Sequence, residues 1–179
     1  ERMIFITGGV RSGKSAFAEK IAIARAEHMQ LPRLYAATSV AFDAEMASRI
    51  EHHQQDRAND CWETVEVPYD VTPLRHTEHV VLFECVTTWL NNVLYKEPQR
   101  VDAYIATLKR IVQSLRGRIV IVSNEVLYEE LSPYEETERY KRLLGELHQW
   151  LVAESEAAYE CTFSHVTQWK GASTCKDFY

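Results

Sequence analysis

Short apolar runs alternate along the chain with longer segments in which apolar residues recur at helical spacing. The runs predict strands at residues 3–7, 33–38, 62–67, 79–85, 118–123 and 159–163. Helices are predicted from Ser15, from Asp43, and at 87–95, 101–115 and 135–156, with a short helical turn at 70–75. This alternation is typical of a mostly parallel sheet with helices on both faces.

The predicted strands differ in how deeply we expect them to be buried. The runs 79–85 and 118–123 are continuously apolar, which is typical of parallel strands inside a sheet. The run 62–67 alternates and ends at Pro68, so it predicts a half-exposed strand. The second helix runs into a largely polar stretch at 49–57, which we expect to remain exposed.

A glycine-containing loop joins the first strand to the first helix. It reads Gly8-Gly9-Val10-Arg11-Ser12-Gly13-Lys14-Ser15 and fits the phosphate-binding pattern G-x-x-x-x-G-K-[ST]. Such a loop places backbone N–H groups around a phosphate chain at the positive end of a helix. We expect Lys14 to reach the β- and γ-phosphates and the Ser15 hydroxyl to ligate Mg²⁺. The predicted fold is therefore a three-layer α/β P-loop NTPase of the RecA-like kind.

Polar side chains follow several of the predicted strands, at the edge where open α/β sheets bind ligands. They are Thr38 and Ser39, Glu84, and the pair Asn124-Glu125. We expect the strand that ends at Glu84 to lie beside the loop strand, where the carboxylate can help to hold Mg²⁺. The alternative is a solvated carboxylate at a strand end.

Composition limits the kinds of binding partner and the cellular compartment that we expect for this protein. The 179 residues predict one nucleotide-binding domain, residues 1–179, and the net charge of -6 argues against a nucleic-acid surface. We expect no membrane span and no signal peptide, because no long apolar run or charged leader pattern occurs. The cysteines, Cys61, Cys85, Cys161 and Cys175, are widely spaced, so we expect reduced thiols in a cytoplasmic protein.

Two adjacent histidines, His52 and His53, lie in the polar part of the second helix. Neighbouring helical residues point to different sides, so we do not expect the pair to form a metal site alone. Histidines on a polar helix end are usually surface residues. A neutral imidazole is nevertheless a competent nucleophile toward phosphorus, which leaves a catalytic role open.

A series of motifs in one order resembles a known family. The motifs are Gly8-Gly9-x-Arg11-Ser12-Gly13-Lys14-Ser15, Tyr35-x-Ala37-Thr38-Ser39, Asp43-x-Glu45-Met46-x-x-Arg49-Ile50-x-His52-His53, Trp62-x-Thr64-x-Glu66, Glu84-Cys85-x-Thr87-Thr88 and Asn124-Glu125-Val126. Together they resemble the adenosylcobinamide kinase/adenosylcobinamide-phosphate guanylyltransferase family, a bifunctional enzyme family of cobalamin assembly. The resemblance covers about residues 3 to 126.

The resemblance implies two reactions and a set of site residues. Adenosylcobinamide is phosphorylated with ATP or GTP, and GMP from GTP is then attached through a guanylyl-histidine, which matches His52. Lys14 as a second catalytic residue, and Mg²⁺ held by Ser15 and Glu84, are expected from the phosphate loop and the strand end described above. Nucleotide contacts are implied, besides the loop, at Thr38, Ser39, Val40, His53, Gln54, Gln55, Asp56, Glu66 and Glu84. The family forms homotrimers, so a homo-oligomer is implied as well.

The match to the family weakens toward the end of the chain. Leu127 stands where the family usually has glycine, and His148 stands where it tends to have asparagine. The segment 161–166 lacks the glycine-containing turn that usually follows the last strand. These departures concern the corrinoid contacts and leave the triphosphate loop and His52 unaffected.

Two other functions compete with this hypothesis. A nucleoside monophosphate kinase would need a mobile lid rich in arginine, to which Arg139 and Arg142 could belong, although both lie in a helical pattern. A non-enzymatic nucleotide switch would need no nucleophile and would leave the context of His52 unexplained.

Overall fold

The structure is a computed structural model that describes residues 2–9, 11–41, 43–124, 135–163 and 165–171. For residues 135–137 it describes the backbone alone. Glu125 and Val126, which belong to the predicted strand-end motif, lie outside these ranges, as do Leu127 and Cys175.

A single seven-stranded sheet runs through the described residues. Its strands are β1 (Ile4–Gly8), β2 (Arg33–Ala37), β3 (Trp62–Glu66), β4 (Val80–Glu84), β5 (Ile119–Asn124), β6 (Ala157–Thr162) and β7 (His165–Lys170). They lie in the order β3-β2-β4-β5-β1-β6-β7, and neighbouring strands are parallel except for β6 and β7. The prediction of a mostly parallel sheet is confirmed, while one domain over the whole chain stays a prediction.

Helices cover both faces of this sheet, as predicted. They are α1 (Lys14–Met29), α2 (Ala44–Asn59), α3 (Val86–Lys96), α4 (Val101–Leu115) and α5 (Glu135–Glu154), with 3-10 turns at Thr72–Leu74, Pro98–Arg100 and Arg116–Arg118. Alternate residues of a strand point to opposite faces, so Ile4 and Ile6 of β1 pack with α1. Phe5 points the other way, into the larger core that α3, α4 and α5 complete.

The second helix, α2, differs from the other helices because it lies on the surface of the protein. Asp43 caps it by accepting a hydrogen bond from the Met46 backbone N–H at 2.7 Å, as its position predicts. None of its residues is buried and most of the stretch 49–57 is exposed as expected, but Ile50, Gln54 and Arg57 are half-buried where the helix faces the protein. No helix among the described residues is long and apolar enough to cross a membrane.

The end of the sheet differs from the prediction of one final strand at 159–163. The strand there is β6, and the chain then turns back through Phe163 (φ 49°) into β7, which the pattern did not predict. The side chains of β7 alternate between exposed and half-buried positions, and its exposed ones include Trp169 at 68 %. An edge strand that buries so little carries a weak hydrophobic pattern, which is why it escaped detection.

The position of β4 corrects a second expectation. We expected the strand that ends at Glu84 to lie beside the loop strand β1, but β5 lies between them. Each of the two strands pairs with β5, through Gly8 with Asn124 on one side and Glu84 with Val122 on the other. Hydrophobic periodicity does not encode strand order, so a continuous apolar run fits any central position of the sheet.

A histidine is packed into the α5 face of the sheet. His148 Nε2 lies 2.6 Å from the Ser123 hydroxyl, and its ring packs 5.4 Å from the Phe5 ring centroid. Burial lowers the pKa of His148 from 6.5 to about 4, because the apolar surroundings disfavour the charged imidazolium. The folded protein therefore keeps this residue neutral at pH values where the unfolded chain protonates it.

This shift predicts a loss of stability in acid that His148→Asn removes. The contribution of His148 to the free energy of unfolding keeps its full value above pH 6.5. It decreases as the pH falls toward about 4, because there the unfolded state binds a proton at His148 that the folded state excludes. The full loss is at most about 3 kcal/mol. Urea unfolding between about pH 7 and pH 4.5 measures it. An equal pH dependence of unfolding in the wild type and in His148→Asn would contradict this account.

Candidate functional site

The loop of residues 8–15, called the phosphate loop below, connects β1 to α1 at the carboxyl edge of the sheet. Gly13 has a φ of 85°, a left-handed conformation that favours glycine, and α1 begins at the next residue. At Gly8 a Cβ atom would lie 2.6 Å from the Cys161 carbonyl oxygen, so glycine is needed there for space. Val10 lies outside the described residues, and Arg11 is exposed with a φ of 57°.

Several polar groups of the phosphate loop are suited to an anion. Lys14 is buried, and its Nζ donates to the Gly9 carbonyl oxygen at 3.0 Å. The Ser12 hydroxyl is also buried and has no hydrogen-bond partner among the described residues. The first turn of α1 contains no acidic residue to compete for its N–H groups. A cation, an unpartnered hydroxyl and a helix N-terminus around one loop fit a phosphate chain.

The carboxylate of Glu84 accepts hydrogen bonds from two different elements. Ser15 Oγ donates to one oxygen at 2.5 Å, and the Tyr35 hydroxyl donates to the other at 2.8 Å. Glu84 reaches Ser15 across the intervening strand β5 because α1 packs over β5 and β4 on its way from the loop. The two Mg²⁺ candidates of the sequence, Ser15 and Glu84, are thus brought together.

These two groups fit a magnesium ion that is shared with a bound nucleotide. Mg²⁺ prefers hard oxygen ligands and usually binds through one or two carboxylates together with phosphate oxygens and waters. The described residues contain no group of three His, Cys, Asp or Glu side chains that could hold a metal by themselves. A hydroxyl and one carboxylate beside a phosphate loop match the shared arrangement and do not match an all-protein cage.

Glu19 brings a second carboxylate to this region, one helical turn after Ser15. Burial raises the pKa of Glu19, and the negative charge of Glu84 raises it further. The same two causes, burial and then Glu84, raise the pKa of the Tyr35 hydroxyl. The Arg57 guanidinium offsets part of this negative charge, and a bound cation would offset more of it.

Thr38 joins the ends of β2 and β4. Its Oγ1 accepts from the Cys85 backbone N–H at 2.9 Å and lies 3.0 Å from the Glu84 carbonyl oxygen. Asn92 Nδ2 donates to the Thr38 carbonyl oxygen at 2.8 Å. The Thr38 side chain is fully buried, whereas Ser39 is exposed and Val40 is half-buried. Thr38 therefore shapes this edge, and a nucleotide role for this segment stays a prediction.

The predicted guanylyl residues lie on α2 and at the end of β3. Gln54 Nε2 donates to Glu66 Oε1 at 3.3 Å, which brings two of the implied nucleotide contacts together. The His52 side chain is 73 % exposed, and its Nε2 lies 3.5 Å from Asp56 Oδ2. His53 and Gln55 are exposed as well. The structure thus places His52 on the solvent side of α2 and not against the phosphate loop.

Three residues of this region were not predicted as site residues, namely Glu19, Tyr35 and Arg57. Glu19 carried a usable signal, because residues four apart share one face of a helix and Ser15 precedes it by that spacing. Tyr35 was part of the family motif but had no assigned role. No pattern in the sequence indicates that Arg57 lies over the Tyr35 ring, with its guanidinium carbon 3.7 Å from the ring centroid.

Comparison with known families finds one matching family model and similar proteins. The model of the family described as cobinamide kinase / cobinamide phosphate guanyltransferase matches residues 4–166. The chain is 36% identical over 169 residues to the bifunctional adenosylcobalamin biosynthesis protein CobU of Escherichia coli K12, covering 84% of this chain and 90% of that protein. It is 36% identical over 156 residues to CobP of Pseudomonas aeruginosa PAO1, covering 84% and 87%.

Comparison with solved structures supports the fold. The KaiC-like protein PH0186 of Pyrococcus horikoshii OT3 aligns with a TM-score of 0.53 at 12% identity, covering 96% of this chain and 80% of that one. The flagellar accessory protein FlaH of Methanocaldococcus jannaschii aligns with a TM-score of 0.52 at 14% identity, covering 95% and 78%. The predicted P-loop α/β fold is confirmed.

The contacts of Glu84 predict that Glu84→Gln weakens magnesium-dependent nucleotide turnover. Glutamine keeps the size and one acceptor oxygen but loses the charge, so we expect turnover to fall about tenfold or more and to need more Mg²⁺. Turnover across a Mg²⁺ titration measures the effect, with Glu63→Gln, an exposed carboxylate on β3, as the control. Turnover and Mg²⁺ dependence equal to those of the wild type would make Glu84 a structural carboxylate only.

Proposed function

Since this chain belongs to the cobinamide kinase / cobinamide phosphate guanyltransferase family, we propose that its phosphate loop holds the triphosphate and that His52 carries GMP. The protein is a bifunctional enzyme of cobalamin biosynthesis, which phosphorylates adenosylcobinamide and then converts the product to adenosylcobinamide-GDP. The observation that carries the assignment of residues is the contact between Ser15 and Glu84 beside the buried Lys14.

The kinase half of the reaction takes place at the phosphate loop. Lys14 and the N–H groups at the start of α1 bind the β- and γ-phosphates, where negative charge accumulates during transfer. Ser15 and Glu84 would hold Mg²⁺, which neutralises phosphate charge when bound. Tyr35 would keep the Glu84 carboxylate oriented while it and Ser15 hold the ion. We propose that ATP or GTP serves as phosphoryl donor to the aminopropanol hydroxyl.

The guanylyl half of the reaction takes place on α2. A neutral imidazole nitrogen of His52 attacks the α-phosphorus of GTP, so a P–N bond forms, the bond to the β-phosphate oxygen breaks and pyrophosphate leaves. A phosphate oxygen of the phosphorylated cobinamide then attacks the same phosphorus and releases the imidazole. Asp56, 3.5 Å away, can orient the ring. Glu66, beside Gln54, offers acceptors for the N–H groups of guanine.

The competing kinase hypothesis finds less support. Arg139 donates to the Pro98 carbonyl oxygen at 3.0 Å, and both Arg139 and Arg142 lie within α5. Arginines held on a long helix do not form a mobile lid.

We further propose that the enzyme works in the cytoplasm as a homo-oligomer, of the trimeric kind expected from the family. The described cysteines Cys61, Cys85 and Cys161 are free thiols, which is compatible with a reducing compartment. Size-exclusion chromatography with light scattering tests the oligomeric state.

Lys14→Ala should impair both reactions. We expect a loss on the order of 100-fold in kinase turnover, because the charge that stabilises the β- and γ-phosphates is removed. Steady-state assays of phosphoryl transfer measure the loss, and Lys20→Ala, an exposed lysine on the same helix, serves as the control. Near-normal turnover by a folded Lys14→Ala enzyme would exclude this role.

His52→Asn should abolish covalent labelling by GTP that carries the label in its α-phosphate. Kinase activity should largely survive, because direct phosphoryl transfer to an alcohol needs no protein nucleophile. The adduct should be labile in acid and stable in base, as expected for a P–N bond. Peptide mapping locates it, and His53→Ala should weaken labelling at most. An adduct on any residue other than His52, or full labelling of His52→Asn, would defeat the assignment.

A further inference from the structure

Arg57, near the end of α2, makes a contact that the two reactions leave unexplained. Its guanidinium carbon lies 3.7 Å from the centroid of the Tyr35 ring. Its Nε atom is buried and has no hydrogen-bond partner among the described residues. The guanidinium is thus held by the face of the aromatic ring and by the charge of the nearby Glu19 carboxylate, where it counteracts part of the rise in pKa.

The Tyr35 ring is a well-fixed platform for this contact. It is buried in the middle of β2 and packs edge-on against Trp62, with ring centroids 6.1 Å apart. Its hydroxyl donates to Glu84, whose other oxygen accepts from Ser15. A continuous series of contacts therefore leads from α2 to the first turn of α1.

The helix α2 lies beside β3, but few other side-chain contacts hold it. The helix has no buried residue, and the side that faces the protein consists of the half-buried Met46, Ile50, Gln54 and Arg57. Gln54 contributes one long hydrogen bond of 3.3 Å to the exposed Glu66. His52 lies roughly 150° around the helix from that side, at about 100° per residue. The orientation of the histidine depends on how firmly the inner side is held.

We propose that Arg57 is a positioning residue for guanylyl transfer, which fixes the histidine-bearing helix α2 on the Tyr35–Glu84–Ser15 contacts of the phosphate site. This inference rests on the proposed role of His52. It separates the two reactions, because phosphoryl transfer uses the phosphate loop and Glu84 directly, whereas guanylyl transfer also needs α2 in place. The flat guanidinium is required and not the charge alone, since an ammonium cannot stack on the ring in the same way.

The test compares Arg57→Ala and Arg57→Lys with the wild type, using GTP labelled in the α-phosphate and a separate kinase assay. We expect both variants to lower the rate of labelling at saturating GTP about tenfold or more, which corresponds to about 1.4 kcal/mol in the barrier. The kcat and KM for phosphoryl transfer should remain within about threefold of the wild type. A general structural defect would lower both activities together.

Arg33→Ala is the matched control. Arg33 also lies over an aromatic ring, with its guanidinium carbon 5.7 Å from the Trp62 centroid, and it belongs to the same strand as Tyr35. It has no contact with α2 or Glu84 among those described, so labelling by Arg33→Ala should match the wild type. Thermal unfolding verifies that each variant folds. If Arg57→Ala does not fold, Arg57→Met, which fills similar volume over the ring, carries the same expectation.

Three results would overturn the inference. The first is labelling within about twofold of the wild type in Arg57→Ala or Arg57→Met, and the second is full recovery of labelling in Arg57→Lys. The third is a parallel loss of kinase turnover, which would show either a general structural defect or a role of Arg57 in the shared triphosphate site. Failure of the proposed function looks different, because the wild type would then acquire no label that His52→Asn removes.

Discussion

The carboxylate of Glu84 is the group on which the geometry of the site depends. One oxygen accepts from Ser15 at the start of α1 and the other from Tyr35 in the middle of β2, while the residue itself ends β4. Three elements that are far apart in sequence therefore meet at one side chain. Hydrogen bonds to an ionised acceptor are roughly twice as strong as neutral ones, and partial burial strengthens them further. A displacement of any of the three elements would change this group first.

The parallel sheet makes that meeting possible. Parallel strands end at one edge, and α1 leaves this edge at the phosphate loop and crosses over β5 toward β4. The helix thus has two functions in its first turn. Its N-terminus and Lys14 suit the phosphates. Its Ser15 donates to Glu84, which ends β4, the second strand from β1 in the sheet. A loop strand placed directly beside β4 is not needed for this contact.

The two halves of the site differ in how deeply their residues are buried and how many contacts hold them. Ser12, Lys14 and Thr38 are buried, and Lys14 and Thr38 are hydrogen-bonded to the backbone, as suits groups that must be positioned before a phosphoryl group moves. The helix α2 lies on the surface with no buried residue, and regions with few buried contacts open at lower free energy than a core. This accessible position suits the role that we propose for His52, which must meet both GTP and a large corrinoid.

Much of this arrangement follows from the amino-acid sequence alone. Local pattern determined the alternation of strands and helices, the phosphate loop with its helix, the Asp43 cap and the largely exposed character of 49–57, because each depends on residues close together in the chain. Strand order and the pairing of distant side chains were decided by the tertiary structure. Hydrophobic periodicity does not distinguish one apolar run from another, so the position of β5 between β1 and β4 could not be predicted. The edge strand β7 was missed because it buries little apolar surface. The sequence likewise does not indicate that Tyr35 contacts Arg57 or Glu84. A ring contact or a hydrogen bond between distant residues forms only once packing has brought both partners together.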